Sequence, residues 1–468
     1  MFILLAILIF GLLIFIHELG HFIAARICGV HVLEFAIGMG PKIFSIKSKK
    51  TETVYSIRLF PLGGFVSMLG ENGMEAVQGD NGEGEVDQSI LINTEDTKET
   101  EPAEEATEET PVEPDPDPRS YSNQSVWKRM FISIAGPFMN VFLGFVFMLV
   151  VVFATATQAP LGSNRVAAFF VTYTAQEEYL GLQSGDYIYS VDGTMLQSYA
   201  QLKDMVEESE TKTFSLVVNR LVKDGETQTV EEVILNNVYL DAAILEDHFD
   251  YSLSEKCNLQ INDEVIKVNS TPVHTQNELA YEIMNQGYRP IDLTVIRDGE
   301  KIVLSDVTFP TFEESGSWFG DVDFKVWAEK PVKEDGTMPS FSVLLKHSWF
   351  RSVSTVKMVY DSLIGLFSNR FGVEAVSGPI GITKTVATVA KTGVLNVLYL
   401  VVIISINLGI MNLIPFPGLD GGHLLIYVIE AIRRKPLKKE LEGTINFIGL
   451  LILLSLAVLI AIKDIINL

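Results

Sequence analysis

Four stretches of this chain stay apolar for longer than a globular core requires. They cover residues 1–25, 130–156, 394–415 and 445–467. Each reaches the roughly 20 residues a helix needs to cross a hydrocarbon core. The third runs on into a Pro- and Gly-broken stretch, so its membrane domain is taken as 394–430. Residues 340–368 carry a different period. Phe341, Leu344, Leu345, Trp349, Val353, Val356, Val359, Leu363 and Leu366 recur at three and four, which predicts an amphipathic helix lying at the membrane surface. In "TVYSIRLFPLGGFVSM" (53–68) Val54, Tyr55, Ile57 and Leu59 read as a strand, and Pro61–Gly64 as a turn. This predicts a membrane-associated β-hairpin within residues 26–70.

Residues 160–312 contain an internal repeat. "LQSGDYIYSVDGTMLQSYAQL" (182–202) aligns with "LQINDEVIKVNSTPVHTQNEL" (259–279) at an offset of 77 residues. Leu182/Leu259, Asp186/Asp263, Val191/Val268, Thr194/Thr271 and Leu202/Leu279 coincide, and "KDGE" (223–226) answers "RDGE" (297–300). The order of strand, turn, strand, helix and hairpin resembles PDZ domains, at 160–240 and, divergently, at 241–312. PDZ folds accept an extended peptide as an added strand. A role as spacer or size filter fits the repeat equally.

Composition changes the picture in one respect. The chain of 468 residues is 48 % hydrophobic and 20 % charged, which fits membrane segments joined to water-exposed domains. Its net charge of −24 is concentrated: residues 71–120 hold 17 acidic against two basic residues, −15 of the total. This acidic insertion cannot bury enough apolar surface to fold alone and is expected to be disordered. Acidity therefore says little about partners, and no nucleic-acid partner is expected. Basic residues follow the first span (Arg26, Lys42, Lys47, Lys49, Lys50, Arg58), precede the second (Lys128, Arg129) and separate the third from the fourth (Arg433, Arg434, Lys435, Lys438, Lys439). They predict cytoplasmic loops, with the repeat region and both termini outside. The N-terminus lacks a basic leader and a small-residue cleavage site, so it is expected to remain as a span. Two cysteines, Cys28 and Cys257, form no CxxC pattern, so a metal would need His and carboxylate ligands.

The first span carries "HELGH" (17–21). HExxH on a helix puts His17 and His21 on one face, where both can reach one zinc, with Glu18 placed to activate water. Ionisable groups within a span mark function by default. His17 lies about 24 Å along a helix at about 1.5 Å per residue, nearer the cytoplasmic face of a core about 30 Å thick. Catalytic zinc takes a third protein ligand and keeps a position for water. Asp420 in "NLIPFPGLDGGH" (412–423) is the candidate, in broken backbone that only protein or water can accommodate at membrane depth.

With "HELGH", "GPFMN" (136–140), "FPLGGFVSM" (60–68), "SGPIGI" (377–382) and "SINLGIMNLIPFPGLDGGH" (405–423) in this order, the chain resembles the site-two protease family of intramembrane zinc metalloproteases. It is most similar to the bacterial regulator-of-sigma-E type. The resemblance implies a multi-pass α-helical membrane protein with about four transmembrane helices, a membrane-associated β-hairpin and two tandem PDZ-like α+β domains outside. It implies zinc on His17, His21 and Asp420, Glu18 as acid/base, and Asn412, Pro415 and Pro417 holding substrate. Asn140 is available to an active-site segment or a substrate carbonyl. Ile57 and Leu59 lie on the strand offered to an unwound substrate. Leu19 and Gly20 are taken to face away from the metal, and "SGPIGI" has no assigned physical role. The expected function is regulated proteolysis of membrane-anchored regulators, such as anti-sigma factors or signal-peptide remnants, in a bacterial membrane. A catalytically silent membrane PDZ adaptor and a transporter are the rivals.

Overall fold

The computed structural model describes residues 2–71, 117–224, 227–314, 317–329, 339–368, 376–437 and 439–466. The greater part of the acidic tract, 72–116, lies outside the described residues. Two compact units divide the chain: Met1–Gly144 with Ser377–Leu468, and Phe145–Val376.

In the first unit, helix α1 (Phe2–Cys28) leads into strands β1 (Val32–Lys47) and β2 (Val54–Met68), then helix α2 (Val126–Gln158), which continues into the second unit. Among the described residues, four helical segments are long and apolar enough to cross a membrane: Leu4–Cys28, Val126–Gln158, Val394–Asn412 and Leu441–Ile466. They match the four apolar stretches of the sequence.

The hairpin differs from its expected form. The reversal falls at Ser48–Thr53, where the Ser48 N–H donates to the Thr53 carbonyl at 3.0 Å. The segment Pro61–Gly64 lies within β2. Gly38, Gly40 and Gly63 take positive φ (87°, 86° and 98°), which an L-residue rarely adopts. Both strands bend there, and the sheet folds back so that Ile57 stands opposite both Ile37 and Phe44. A Pro–Gly pair kinks a strand as readily as it reverses one. Only the facing glycines of β1 decide which. Among the described strands, residues 64–68 pair with 32–37 alone, and the Met68 N–H of that segment donates to the Glu71 carboxylate at 3.3 Å.

The two ends of the acidic tract are held together. The His31 N–H donates to the Arg119 carbonyl at 3.0 Å, Leu69 N–H to the His31 carbonyl at 3.0 Å, and Tyr121 N–H to the Leu69 carbonyl at 2.7 Å.

The second unit holds two sheets of matching design. In chain order it contains β3 (Gly162–Phe169), β4 (Val171–Tyr173), β5 (Tyr187–Val191), β6 (Thr194–Met195), α3 (Tyr199–Glu208), β7 (Thr213–Asp224), β8 (Thr227–Tyr239), α4 (Ala242–His248), β9 (Phe249–Tyr251) and α5 (Leu253–Lys256). There follow β10 (Glu264–Val268), β11 (Thr271–Pro272), α6 (Gln276–Gln286), β12 (Ile291–Arg297), β13 (Glu300–Val307), β14 (Thr311–Glu314), β15 (Ser317–Gly320), β16 (Phe324–Ala328) and α7 (Phe341–Phe367). One sheet runs β8-β7-β5-β4-β9 and the other β13-β12-β10-β3-β16. The repeat survives in detail. Asp186 binds Arg220 Nε at 2.8 Å, and Asp263, 77 residues on, binds Arg297 Nε at 2.8 Å. Ser198 and Thr275 cap α3 and α6 through the backbone N–H three residues on. The sheets interleave, however. β3 lies in the second sheet and β9 in the first, so the division expected at residue 240 does not separate them. Local alignment detects a repeated segment, not the strand that completes its sheet.

Helix α7 buries its small polar face. Ser348, Ser352 and Thr355 are buried, and their hydroxyls donate to the carbonyls one turn back. Phe341, Trp349, Val353, Tyr360 and Ile364 are exposed. Tyr281 and Asn285 of α6 donate to Asp361 of α7 at 2.7 and 3.1 Å, and Lys357 pairs with Glu282.

Helices α8 (Pro379–Thr392), α9 (Val394–Asn412), α10 (Asp420–Arg433) and α11 (Lys439–Ile466) return to the first unit. The fold gives "SGPIGI" a role. The Asp464 carboxylate of α11 accepts the N–H groups of Gly378 and Gly381 at 3.0 and 2.8 Å, capping α8 from another helix. Asp464→Ala is expected to cost about 1 kcal/mol at that terminus. It should speed amide hydrogen exchange at residues 378–382, with Asp464→Asn falling between.

Candidate active site

HExxH spacing turns His17, Glu18 and His21 toward one side of α1, and tertiary packing brings Asp420 to them. Asp420 is the first residue of α10, delivered by the loop Leu413–Leu419. His17 Nε2 lies 3.1 Å from Asp420 Oδ2, His21 Nε2 lies 3.5 Å from Asp420 Oδ1, and the two Nε2 atoms are 3.2 Å apart. One ligand atom from each residue falls within 4.8 Å of the others.

The chemistry of this donor set fits a cation. His21 Nδ1 meets the Ile132 carbonyl of α2 at 2.8 Å. A carbonyl only accepts, so Nδ1 carries the proton and neutral His21 directs the Nε2 lone pair at the centre. Two imidazole nitrogens and a carboxylate converging there form a three-ligand catalytic set of the kind zinc takes. The residues present could hold that ion.

Helix α2 scaffolds the cluster. Ser133 Oγ donates to the Asp420 backbone carbonyl at 2.9 Å. Asn140, fully buried, lies 3.2 Å from His17 Nδ1 through its side-chain amide. Ser405 of α9 donates to the Asn140 carbonyl at 2.7 Å. Further along, Arg129 pairs with buried Glu430 of α10 at 2.7 Å, and the Tyr121 and Tyr427 hydroxyls meet at 2.8 Å.

Two glycines permit this approach. A methyl group on Gly20 would stand 2.3 Å from the Ala135 carbonyl oxygen, and one on Gly136 would stand 2.3 Å from His21 Nε2. Gly20 was expected to be indifferent because it faces away from the metal. It faces α2, the helix that also carries Gly136 and Asn140, and that is where the α1 and α2 backbones touch. Nothing in the sequence marks Ser133, Ser405 or the Ile132 carbonyl.

Glu18 faces the hairpin. Its Cγ lies 3.3 Å from where a methyl on Gly64 would sit. The segment 64–68 is thus the part of the sheet at Glu18. Ile57 and Leu59 are about half exposed, at 49 % and 51 %, but Ile57 is paired on both sides and offers no edge. Asn412 closes α9 half-buried, Pro415 is exposed, and the Pro417 carbonyl packs against Gly449 of α11. Both cysteines are free.

The sequence profile of peptidase family M50 matches residues 5–456. The chain belongs to peptidase family M50, the site-two proteases. It is similar along its length to the regulator of sigma-W protease RasP of Bacillus subtilis, 29 % identical over 501 residues covering 98 % of this chain and 97 % of that protein. It is 30 % identical to the zinc metalloprotease RasP of Bacillus licheniformis over 502 residues, again 98 % and 97 %. The zinc metalloprotease RasP of Geobacillus kaustophilus is 28 % identical over 470 residues, 98 % of this chain and 96 % of the relative. The chain is therefore a zinc metalloprotease of the site-two type, which sets aside the silent adaptor and the transporter.

Proposed function

We propose that this M50 peptidase cleaves single-pass membrane proteins within the bilayer, with His17, His21 and Asp420 as zinc ligands and Glu18 as acid/base. The convergence of those three ligand atoms between helices able to span a membrane carries the reading. When bound, zinc supplies Lewis acidity. Glu18, one residue from His17 and packed beside Gly64, takes a proton from water at its carboxylate and returns it to the leaving amine. A helical substrate must unwind before its peptide bond is accessible. Residues 64–68, paired with a strand on one side alone, are proposed to take up the unwound substrate beside Glu18. Asn412 borders the loop that delivers Asp420, Pro415 and Pro417 lie within it, and the three are proposed to hold the substrate.

The repeat unit is read as a PDZ-like pair and the exposed apolar face of α7 as a membrane-surface contact. The basic loops support a cytoplasmic side for the hairpin and an outer side for the repeats. The name of the Bacillus subtilis relative supports membrane-anchored anti-sigma factors as the substrate class.

The test uses full-length chain purified in detergent. Wild type is expected to hold about one zinc and to cut a model transmembrane substrate inside its span. Asp420→Ala should lose the zinc. Full zinc content in that variant, or cleavage confined to soluble loops, would overturn the proposal.

A further inference from the structure

We infer that Asn140 is a positioning residue for His17, fixing the tautomer and ring orientation that aim Nε2 at the metal, rather than a substrate contact. The inference rests on the reading of His17 as a zinc ligand. His17 Nε2 faces His21 and Asp420, and its Nδ1 meets the Asn140 amide 3.2 Å away, its one hydrogen-bond contact among the described residues. A neutral imidazole that gives Nε2 to a metal carries its proton on Nδ1 and needs an acceptor there. As placed, the amide turns Nδ2 toward the ring, while Asn140 Oδ1 is buried with no hydrogen-bond partner among the described residues. The two amide ends are interchangeable by a half-turn about the last torsion. Oδ1 has no bond to give up, so the half-turn exchanges only the Nδ2 contact with the ring for the missing acceptor.

The surroundings favour this assignment over substrate binding. Asn140 is fully buried, and so is Ser405, which holds its backbone carbonyl. The side chain can rotate, but its anchor cannot move. The two histidines are then oriented alike. His21 is fixed through Nδ1 by the Ile132 carbonyl, and His17 through Nδ1 by Asn140, two turns along the same helix. Asn140 stands four residues after Gly136 in "GPFMN", so the motif combines close approach to His21 with an acceptor for His17.

The experiment measures zinc affinity of the full-length chain by competition with a chelator, alongside kcat and KM. Asn140→Leu keeps the volume and removes the acceptor; Asn140→Asp keeps the acceptor. Asn140→Leu is expected to bind zinc about 10–100-fold more weakly, with lower kcat and unchanged KM. Asn140→Asp should stay within a few-fold of wild type. Wild-type zinc affinity in Asn140→Leu, or equal losses in both variants, would overturn the inference, and a raised KM with intact affinity would return Asn140 to the substrate. If Asn140→Leu fails to fold, judged by thermal unfolding of the metal-free chain, Asn140→Ala takes its place under the same criteria. His17→Ala separates the two proposals. Wild-type affinity there would refute the ligand set itself, whereas loss there with intact Asn140→Leu would refute only the role of Asn140.

Discussion

Replacing Glu18 with glutamine is expected to lower kcat by about 10²–10⁴-fold, the range general acid–base catalysis supplies, while leaving zinc content at the wild-type level. Glutamine keeps the size of the side chain and its packing beside Gly64, so the hairpin should stay against α1. It cannot take a proton from water near neutral pH. Glu18 has no ligand atom in the His17–His21–Asp420 cluster, which is why zinc should be retained. The measurement pairs metal analysis with cleavage of a model transmembrane substrate. Equal cleavage by wild type and Glu18→Gln would remove Glu18 from the reaction, and loss of zinc would assign it a structural part in the site instead.

Gly136→Ala should be nearly as damaging, through the metal. The added methyl would lie 2.3 Å from His21 Nε2, 2.7 Å from Cε1 and 2.8 Å from Cδ2, so the whole ring would have to move. The ring is tethered at Nδ1 to Ile132 of the same helix, and α2 has no slack where Ala135 meets Gly20. Displacing a ligand should weaken zinc binding by at least the roughly 100-fold seen when the groups that orient ligands are lost, and cleavage should fall with it. Gly443→Ala is the control, since its methyl meets nothing within 4 Å. Wild-type zinc affinity in Gly136→Ala would show that His21 can be moved without consequence and is no ligand.

Both predictions draw on the same motif residues, yet they were unequally legible. "HELGH" announces Glu18 by itself because a helix repeats every 3.6 residues, and that period places both histidines on one face whatever the rest of the chain does. Gly136 could be read only as a packing residue. Its meaning depends on the neighbour, His21, which lies 115 positions earlier and meets it only when α1 and α2 touch. Gly20 was misjudged for the same reason. Its expected orientation away from the metal suggested indifference until α2 was seen to pack against it.

By itself, the sequence determined what local chemistry and periodicity encode: the four apolar spans, the histidine pair with its glutamate, Asp420 in broken backbone, the repeat at 77 residues and the amphipathic period of α7. Only the tertiary structure decided which part of the hairpin is paired on one side alone, since that follows from glycines in one strand bending the other. It also decided that β3 and β9 exchange sheets, that Asp464 caps α8, that α7 buries its hydroxyl face, and that Asn140 and Ile132 address the two histidines. The physical reason is common to all of these. A side chain's rotamer, hydrogen-bond partner and tolerance for one extra methyl group are set by atoms within about 4 Å, and at this site those atoms come from helices more than 100 residues apart in sequence.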